Sequence, residues 1–222
     1  PDFDFQGALL NNTRALSAVL GALREQGCRR VLLTGSVFEA GEGAGSEGLP
    51  AFSPYGLSKG LTASAFEYFT RVHGLHLGKF VIPNPFGPLE DPRFTAYLVK
   101  NWLSGTTPSV NTPAYVRDNI HVSLLAKAYV AFATSLAEQP GFTRLNPSGT
   151  VGSQGSFATL VANELASRLG VACPVELKVQ TQFTEPLIRI NTDPVDGRAL
   201  GWDEKAAWDA IAEHYLRSRA QR

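Results

Sequence analysis

The segment CRRVLLTGS, residues 28–36, decides the fold of this 222-residue chain. It is a short run of β-branched and aliphatic residues that closes in small polar ones, a pattern typical of a buried parallel strand. In front of it, apolar side chains recur at spacings of three and four through residues 6–26, which predicts an amphipathic helix ending at Gly27. A helix therefore leads into a strand.

A second helix and a second strand follow this pair. Ser53 is a good N-cap and Pro54 suits the first helical position, so residues 54–72 are predicted to be helical. The next segment, GLHLGKFVIPNPFGP at residues 74–88, predicts a strand that runs into a loop broken by prolines. The alternation of helix and strand is typical of an α/β fold with a doubly wound parallel sheet.

The second half of the chain is less regular and predicts a smaller α+β region. It holds an irregular stretch through Pro113 and one candidate strand at residues 142–146. Helices are predicted near residues 93–104 and at residues 121–136, 155–169 and 203–219.

Composition excludes several classes of partner. The 20 basic residues balance the 20 acidic ones, so no electrostatic field favours nucleic acid or an anionic membrane. The apolar stretches are too short or too polar to cross a bilayer, and the N-terminus lacks the basic-then-apolar pattern of a signal sequence. We therefore expect a soluble, cytoplasmic protein.

The cysteines and histidines predict no metal site. Cys28 and Cys173 lie far apart in the sequence, which indicates reduced structural thiols rather than a disulfide or a metal centre. The four histidines form no cluster with the spacing of metal ligands.

A glycine-rich segment, GEGAGSEG at residues 41–48, matches the spacing of a dinucleotide-binding turn. That turn works by opening a helix whose N-terminal amides hold a pyrophosphate. Here the glycines are followed by LPAFSP, and the neighbouring Glu39, Glu42 and Glu47 would repel phosphate. The segment is therefore interpreted as a flexible surface loop.

The segment SPYGLSKGL, residues 53–61, places Tyr55 and Lys59 one turn apart on the second helix. A phenol has an ordinary pKa of roughly 10, and a neighbouring ammonium group favours the phenolate, which suits it to acid/base chemistry. The alternative is an exposed tyrosine and a solvated lysine on a helix surface. Ser36 favours the catalytic interpretation, because the carboxyl end of a parallel strand is where open α/β sheets bind ligands.

These residues resemble the short-chain dehydrogenase/reductase superfamily, in particular its extended branch of sugar-nucleotide epimerases and dehydratases. The resemblance covers most of residues 5–202 and implies a Rossmann-like sheet. It rests on five segments in order: the helix and strand leading to TGSVFEAGEG, the Tyr-x-x-x-Lys segment SPYGLSKGL, the loop VIPNPFGP, YVRDNIHVSLLAKAYV, and ALGW near the end.

The resemblance implies a catalytic triad. Tyr55 would be the acid/base, Lys59 would tune it and bind the nicotinamide ribose, and Ser36 would orient the reacting oxygen. Thr34 is the alternative to Ser36 for this last role. If Ser36 has that role, Thr34 is expected to contact the cofactor.

The same resemblance implies the remaining contacts. Asn11 would lie beside the ribose of the cofactor, NAD or NADP, and the main chain at Val81 and Pro83 beside the nicotinamide. Asn84 and Arg117 would hold the diphosphate of a nucleotide-sugar substrate, for which a guanidinium fork is apt. The alternative for Arg117 is an ion pair with Asp118.

The chain departs from the family pattern in three places. The strand, glycine turn and helix that open the family's cofactor domain are not recognised, so we expect the chain alone to bind dinucleotide poorly. Phe86 replaces the common loop tyrosine, and Val81 stands where an arginine often precedes that loop. Residues 1–90, with a contribution from 110–146, are predicted to form the later part of the Rossmann-like domain, and 91–222 mainly the substrate-binding region.

The resulting hypothesis is an NAD(P)-dependent sugar-nucleotide epimerase or dehydratase that oxidises a sugar hydroxyl to a keto intermediate. A reductase of a small carbonyl compound and a non-catalytic nucleotide-binding protein of the same fold are the alternatives. By resemblance, a homodimer is expected through the helices at residues 6–26 and 54–72.

Overall fold

The computed structural model describes residues 3–45, 48–90 and 93–220. Seven helices lie in this part of the chain: α1 Phe5–Thr13, α2 Leu16–Glu25, α3 Pro54–Val72, α4 Phe94–Leu103, α5 Val122–Ser135, α6 Gln154–Leu169 and α7 Glu204–Ala220. The strands are β1 Arg30–Ser36, β2 His76–Ile82, β3 Asn84–Phe86, β4 Ser109–Val110, β5 Val116–His121, β6 Gly141–Leu145, β7 Pro147–Ser148, β8 Thr150–Ser153, β9 Glu176–Leu177, β10 Ile188–Arg189 and β11 Asp193–Pro194.

The chain divides into two compact units. Unit 1 comprises Pro1–Pro83, Ala128–Ser148 and Arg189–Val195, and unit 2 comprises Asn84–Lys127, Gly149–Ile188 and Asp196–Arg222. Each unit is therefore assembled from three separate segments of the sequence.

Unit 1 contains a three-stranded parallel sheet in the order β1-β2-β6. Because successive residues of a strand point to opposite faces, the central strand β2 packs on both sides. Phe80 meets the rings of Tyr129 and Phe132, which belong to the later part of α5, at centroid separations of 4.9 and 5.9 Å. The neighbouring Lys79 lies on the opposite face and bonds to Glu39. The parallel sheet confirms the predicted α/β class.

Helix α3 begins and ends where the sequence predicts. The Ser53 hydroxyl accepts a hydrogen bond from the Gly56 amide at 3.2 Å, Pro54 occupies the first turn, and Gly74 follows the helix with a positive φ of 64°. Its inner side joins Ala65, Phe66 and Phe69 to the buried cluster of Leu16, Leu20 and Leu75.

The first predicted helix is interrupted, so the prediction of one helix over residues 6–26 is wrong at residues 14–15. Thr13 donates its hydroxyl to the Leu9 carbonyl at 2.7 Å, and Asn12 donates its amide to the Ala8 carbonyl at 2.9 Å. Such side chains compete with the next turn of main-chain bonds, and α1 ends there. The end at Gly27, with a φ of 84°, is as predicted.

Unit 2 packs α4, α6 and α7 around one apolar core. Its fully buried members include Leu98, Val99, Val161, Leu165 and Ile211, and Trp102 donates its indole N–H to the Pro174 carbonyl at 2.8 Å. A small sheet joins it, in which β3 pairs parallel to β5 and β5 pairs antiparallel to β8. Strand β5 was absent from the sequence-based prediction.

The interpretation of residues 41–48 as a flexible surface loop is wrong at Glu42 and Ala44. Glu39 and Glu42 are only 1% and 4% exposed, and Ala44 forms a β-bridge with Ile190. Both carboxylates turn inward because Lys79 binds them at 2.6 Å each. Glu47 lies outside the described residues. The expectation that the glycines do not open a helix is confirmed for the described positions, because the next helix begins at Pro54.

No helix within the described ranges is both long enough and apolar enough to cross a membrane.

Candidate active site

The N-terminus of α3 approaches the end of β1 very closely. A Cβ atom built on Gly56 would lie 2.1 Å from the carbonyl oxygen of Phe38, which also accepts the Phe52 amide at 3.0 Å. Only a glycine at position 56 permits this approach, since real Cβ contacts do not fall below 3.0 Å. The turn that carries Tyr55 is therefore held against the loop that follows Ser36.

Lys59 anchors the same helix to the strand. Its ammonium group donates to the Thr34 carbonyl at 2.5 Å. Burial lowers the pKa of Lys59, the negative charge of Glu39 opposes this shift, and the positive charge of Lys79 adds to it. The ammonium has three donors, and those not bound to Thr34 remain suited to ribose hydroxyls.

Ser36 ends β1 and is 6% exposed. Its hydroxyl accepts the Phe38 amide at 3.2 Å, and its own amide donates to Glu39 Oε1 at 2.7 Å. Both bonds fix the main chain around the residue, and the hydroxyl can still donate its proton to a ligand oxygen.

Tyr55 is the more exposed member of the predicted pair, with 39% of its surface accessible. Its ring packs edge-on against Phe3 with centroids 5.7 Å apart. The phenol thus has an apolar neighbour on one side and solvent on another, and Lys59 lies one helical turn away.

The predicted cofactor contacts at β1 and β2 occupy defined positions. The Thr34 hydroxyl lies 3.1 Å from the Tyr129 hydroxyl, so this side chain is engaged with α5. Val81 and Pro83 are buried at the end of β2. The Val81 carbonyl accepts the Asn191 side-chain amide at 2.7 Å, a contact that the sequence did not suggest. Asn11 lies on α1, which packs against α3, and its side chain is exposed.

The predicted substrate residues lie in unit 2. Asn84 donates to the Asp118 carbonyl at 3.0 Å, and Asp118 Oδ1 accepts the Gly149 amide at 2.8 Å. Arg117 is 6% exposed, and its guanidinium pairs with Glu185 at 2.6 Å and lies 4.7 Å from the centre of the Tyr115 ring. The ion pair of Arg117 is thus made with Glu185, a residue that the sequence analysis did not single out.

The donor set in unit 1 suits one end of a nicotinamide dinucleotide. An ammonium group, a phenol and a strand-end hydroxyl lie on two adjoining elements, and such groups bind ribose hydroxyls and a reacting oxygen. No glycine-rich turn opens a helix in the described part of the chain, so the pyrophosphate cradle that the family uses is not among these residues.

A parallel sheet with a lysine and a tyrosine on a helix packed at the carboxyl end of one strand defines an α/β protein with a candidate site at that strand end. The comparisons give the family: the chain belongs to the NAD dependent epimerase/dehydratase family, whose model matches residues 6–146. It is thus a member of a family of NAD-dependent enzymes. No curated protein matches the chain.

Many solved structures share the fold. A UDP-glucose 4-epimerase from Thermotoga maritima with UDP-glucose is 18% identical, with a TM-score of 0.70 over 97% of this chain and 72% of that one. A UDP-glucose 4-epimerase from Brucella ovis in complex with NAD is 20% identical, with a TM-score of 0.68 over 93% and 71%. A dTDP-glucose 4,6-dehydratase double mutant from Streptomyces venezuelae with NAD bound is 19% identical, with a TM-score of 0.63 over 96% and 68%. At these identities the likeness shows a common fold.

Proposed function

We propose that this protein is a sugar-nucleotide epimerase or dehydratase that uses NAD or NADP and the triad Ser36, Tyr55 and Lys59. The observation that supports it most is the close packing of α3 against β1 and the loop after it. There Lys59 bonds the Thr34 carbonyl, and Gly56 contacts the Phe38 carbonyl. Family membership and the sugar nucleotides bound by structures of the same fold point to the same chemistry.

In the proposed reaction, Tyr55 removes the proton of a sugar hydroxyl by general base catalysis. Lys59 stabilises the phenolate by its charge, and Ser36 donates a hydrogen bond that orients the reacting oxygen. The nicotinamide supplies reversible hydride transfer when it is bound. These steps yield a transient keto sugar.

The cofactor and the nucleotide would be held by the remaining predicted residues. Lys59, Asn11 and the main chain at Val81 and Pro83 are proposed to hold the nicotinamide and its ribose. Asn84 and Arg117 are proposed to hold the diphosphate of the substrate. The assignment of residues 1–90 with 110–146 to the cofactor domain, and of 91–222 to the substrate region, also stays a prediction.

Replacing the phenol tests the proposed reaction. In full-length protein incubated with NAD and UDP-glucose, dTDP-glucose or UDP-glucuronic acid, Tyr55→Phe is expected to lower turnover by roughly 10²- to 10⁴-fold. Binding of NADH, followed by the fluorescence of its reduced nicotinamide, should stay close to that of the wild type. Tyr68→Phe on the outer face of α3 is the matched control, because Tyr68 is 53% exposed. Full activity of Tyr55→Phe would refute the role of the phenol.

One observation favours a second candidate, a reductase of a small carbonyl compound. The Arg117 guanidinium is already bonded to Glu185 and to the Val116 and Pro186 carbonyls, which leaves fewer donors for a diphosphate. A thermal-shift panel discriminates the two. Stabilisation by UDP and UDP-sugars favours the sugar-nucleotide enzyme, and a response to NAD or NADP alone favours the reductase. No response to any nicotinamide or sugar nucleotide would favour a non-catalytic protein.

A homodimer through α1–α3 is proposed as well. These helices carry exposed apolar side chains that a partner would cover: Leu10, Val19, Leu23, Leu57, Leu61, Tyr68 and Val72. In sedimentation equilibrium, Leu61→Glu is expected to give a monomer, whereas Leu216→Glu on α7, which is similarly exposed, should leave the mass unchanged. If Leu61→Glu and Leu216→Glu are both monomeric or both dimeric, the proposed interface is contradicted.

A reducing compartment such as the cytoplasm is proposed from the two unpaired cysteines, Cys28 and Cys173.

A further inference from the structure

A buried ion cluster lies directly beside the proposed triad in unit 1. Lys79, 8% exposed on the central strand β2, binds Glu39 Oε2 and Glu42 Oε1 at 2.6 Å each. Glu42 is held further by the Asn146 amide at 3.0 Å and by Arg144 at 3.5 Å. Charged side chains are rarely buried so deeply unless they are paired, and this cluster places two carboxylates around one ammonium group.

The two carboxylates differ in what else they touch. Glu39 Oε1 accepts the amide of Ser36 at 2.7 Å, whereas the other oxygen of Glu42 is bonded to Asn146. Gly35 makes room for this arrangement, because a Cβ there would lie 3.0 Å from Glu39 Oε1 and 2.9 Å from Lys79 Cε. Glu39 is thus the member of the cluster that holds the end of β1.

Glu39 also faces α3. A Cβ built on Gly60 would lie 3.8 Å from Glu39 Cβ, so the side chain passes beneath the turn that carries Lys59. The charged groups acting on Lys59 are Glu39 and Lys79 from outside its helix, and Tyr55 is the titratable group one turn away on α3 itself. Of these, Glu39 is the group whose charge opposes the effect of burial on the pKa of Lys59.

We propose that Glu39 is a positioning residue for the triad, which fixes the main chain of Ser36 and places a buried carboxylate beneath the turn that carries Lys59. Lys79 binds the other oxygen of this carboxylate, which keeps Glu39 Oε1 directed at the Ser36 amide. The catalytic consequence rests on the proposed function, but both physical effects exist without cofactor or substrate. Loss of Glu39 would leave Lys59 facing the like charge of Lys79, and would free the strand end that presents the Ser36 hydroxyl.

The experiment compares Glu39→Gln with Glu42→Gln in full-length protein. Each variant removes one buried negative charge and leaves Lys79 one carboxylate partner. Lysine labelled with ¹³C at Cε is titrated by NMR, and the Lys59 signal is assigned by its absence in Lys59→Arg. The Lys59 midpoint is expected to fall in Glu39→Gln, because the opposing charge is lost, and to stay at the wild-type value in Glu42→Gln. Equal midpoints in the two variants would overturn the proposal.

A second measurement follows the Ser36 amide by hydrogen exchange. Glu39→Met keeps the side-chain length and lacks an acceptor, so exchange at Ser36 is expected to rise roughly ten- to a hundred-fold, the range for a lost bond to a charged group. If that variant does not fold, Glu39→Asp retains the charge and shortens the reach. It should speed exchange at Ser36 while Lys59 titrates as in the wild type, and unchanged exchange would again overturn the proposal.

Turnover separates this proposal from the proposed function. If the wild-type protein converts no sugar nucleotide, the proposed function is refuted. The two NMR results would still test the role of Glu39. If the wild type is active, Glu39→Gln should lose roughly 10²-fold in kcat with little change in KM, as expected when reacting groups are misplaced rather than binding contacts removed.

Discussion

Substituting Gly56 by alanine tests whether the close contact between the start of α3 and the Phe38 carbonyl positions Tyr55 and Lys59 for the proposed reaction. The new Cβ would lie 2.1 Å from the Phe38 carbonyl, and real contacts of this kind do not fall below 3.0 Å. The Phe38 carbonyl cannot easily retreat, because it also accepts the Phe52 amide. The start of α3 must therefore move by at least about 0.9 Å, the difference between those two distances. Tyr55 precedes the substituted residue and moves with it.

Two magnitudes follow from this displacement. Overpacking costs about 1–3 kcal/mol, and the higher helix propensity of alanine returns up to about 1 kcal/mol. Stability should therefore fall only modestly. A misplacement of about 1 Å costs on the order of 10²-fold in rate. Gly56→Ala is thus expected to lose far more activity than stability.

The assay measures kcat on the sugar nucleotide that the wild type converts, together with urea unfolding. Gly60→Ala is the matched control on the same helix, since its Cβ would lie 3.8 Å from its nearest neighbour, which is ordinary contact. It should keep wild-type kcat and gain up to about 1 kcal/mol of stability. Wild-type kcat in Gly56→Ala, with a folded protein, would refute the idea that this close approach sets the position of Tyr55.

Two further predictions concern buried charge. Lys79→Met leaves Glu39 and Glu42 buried without their shared cation, and should cost about 3–5 kcal/mol in urea unfolding; a loss below 1 kcal/mol would contradict the cluster. Burial lowers the pKa of His121 from 6.5 to about 4. Above pH 6.5 the ring is neutral in both states, and the penalty grows as pH falls towards 4. Relative to His121→Gln, the wild type should lose at most about 3 kcal/mol between pH 7 and pH 4; a constant difference would show that the ring titrates normally.

Local chemistry explains what the sequence predicted correctly. Ser53, Pro54 and Gly27 act on their immediate neighbours, and the helix boundaries that they mark are the observed ones. Tyr55 and Lys59 lie one turn apart on α3, which follows from helical spacing alone. Helices α4, α6 and α7 carry regular apolar stripes that bury one face, and they too lie within a residue or two of the predicted bounds.

The predictions are wrong where residues far apart in the sequence determine the local structure. Strand β5 reads VRDNIH, and its polar residues look like a loop until Glu185 pairs with Arg117 and the Gly149 amide binds Asp118. Glu39 looked like a surface carboxylate because the lysine that binds it lies 40 positions away. By contrast, the break after Thr13 had a local signal, since a threonine near a helix end can bond back to the preceding turn.

The interleaved order of the two units has a consequence for synthesis on the ribosome. The elements that carry Ser36, Tyr55 and Lys59 precede all of unit 2 in the sequence, and the strands β1 and β2 can pair as soon as both have emerged. Asn191, whose amide bonds the carbonyls of Val81 and Pro147, emerges only after the first two of the three segments of unit 2. We therefore expect nascent chains that end before residue 189 to carry a paired but protease-sensitive sheet, which becomes resistant once the last segment of unit 1 is added.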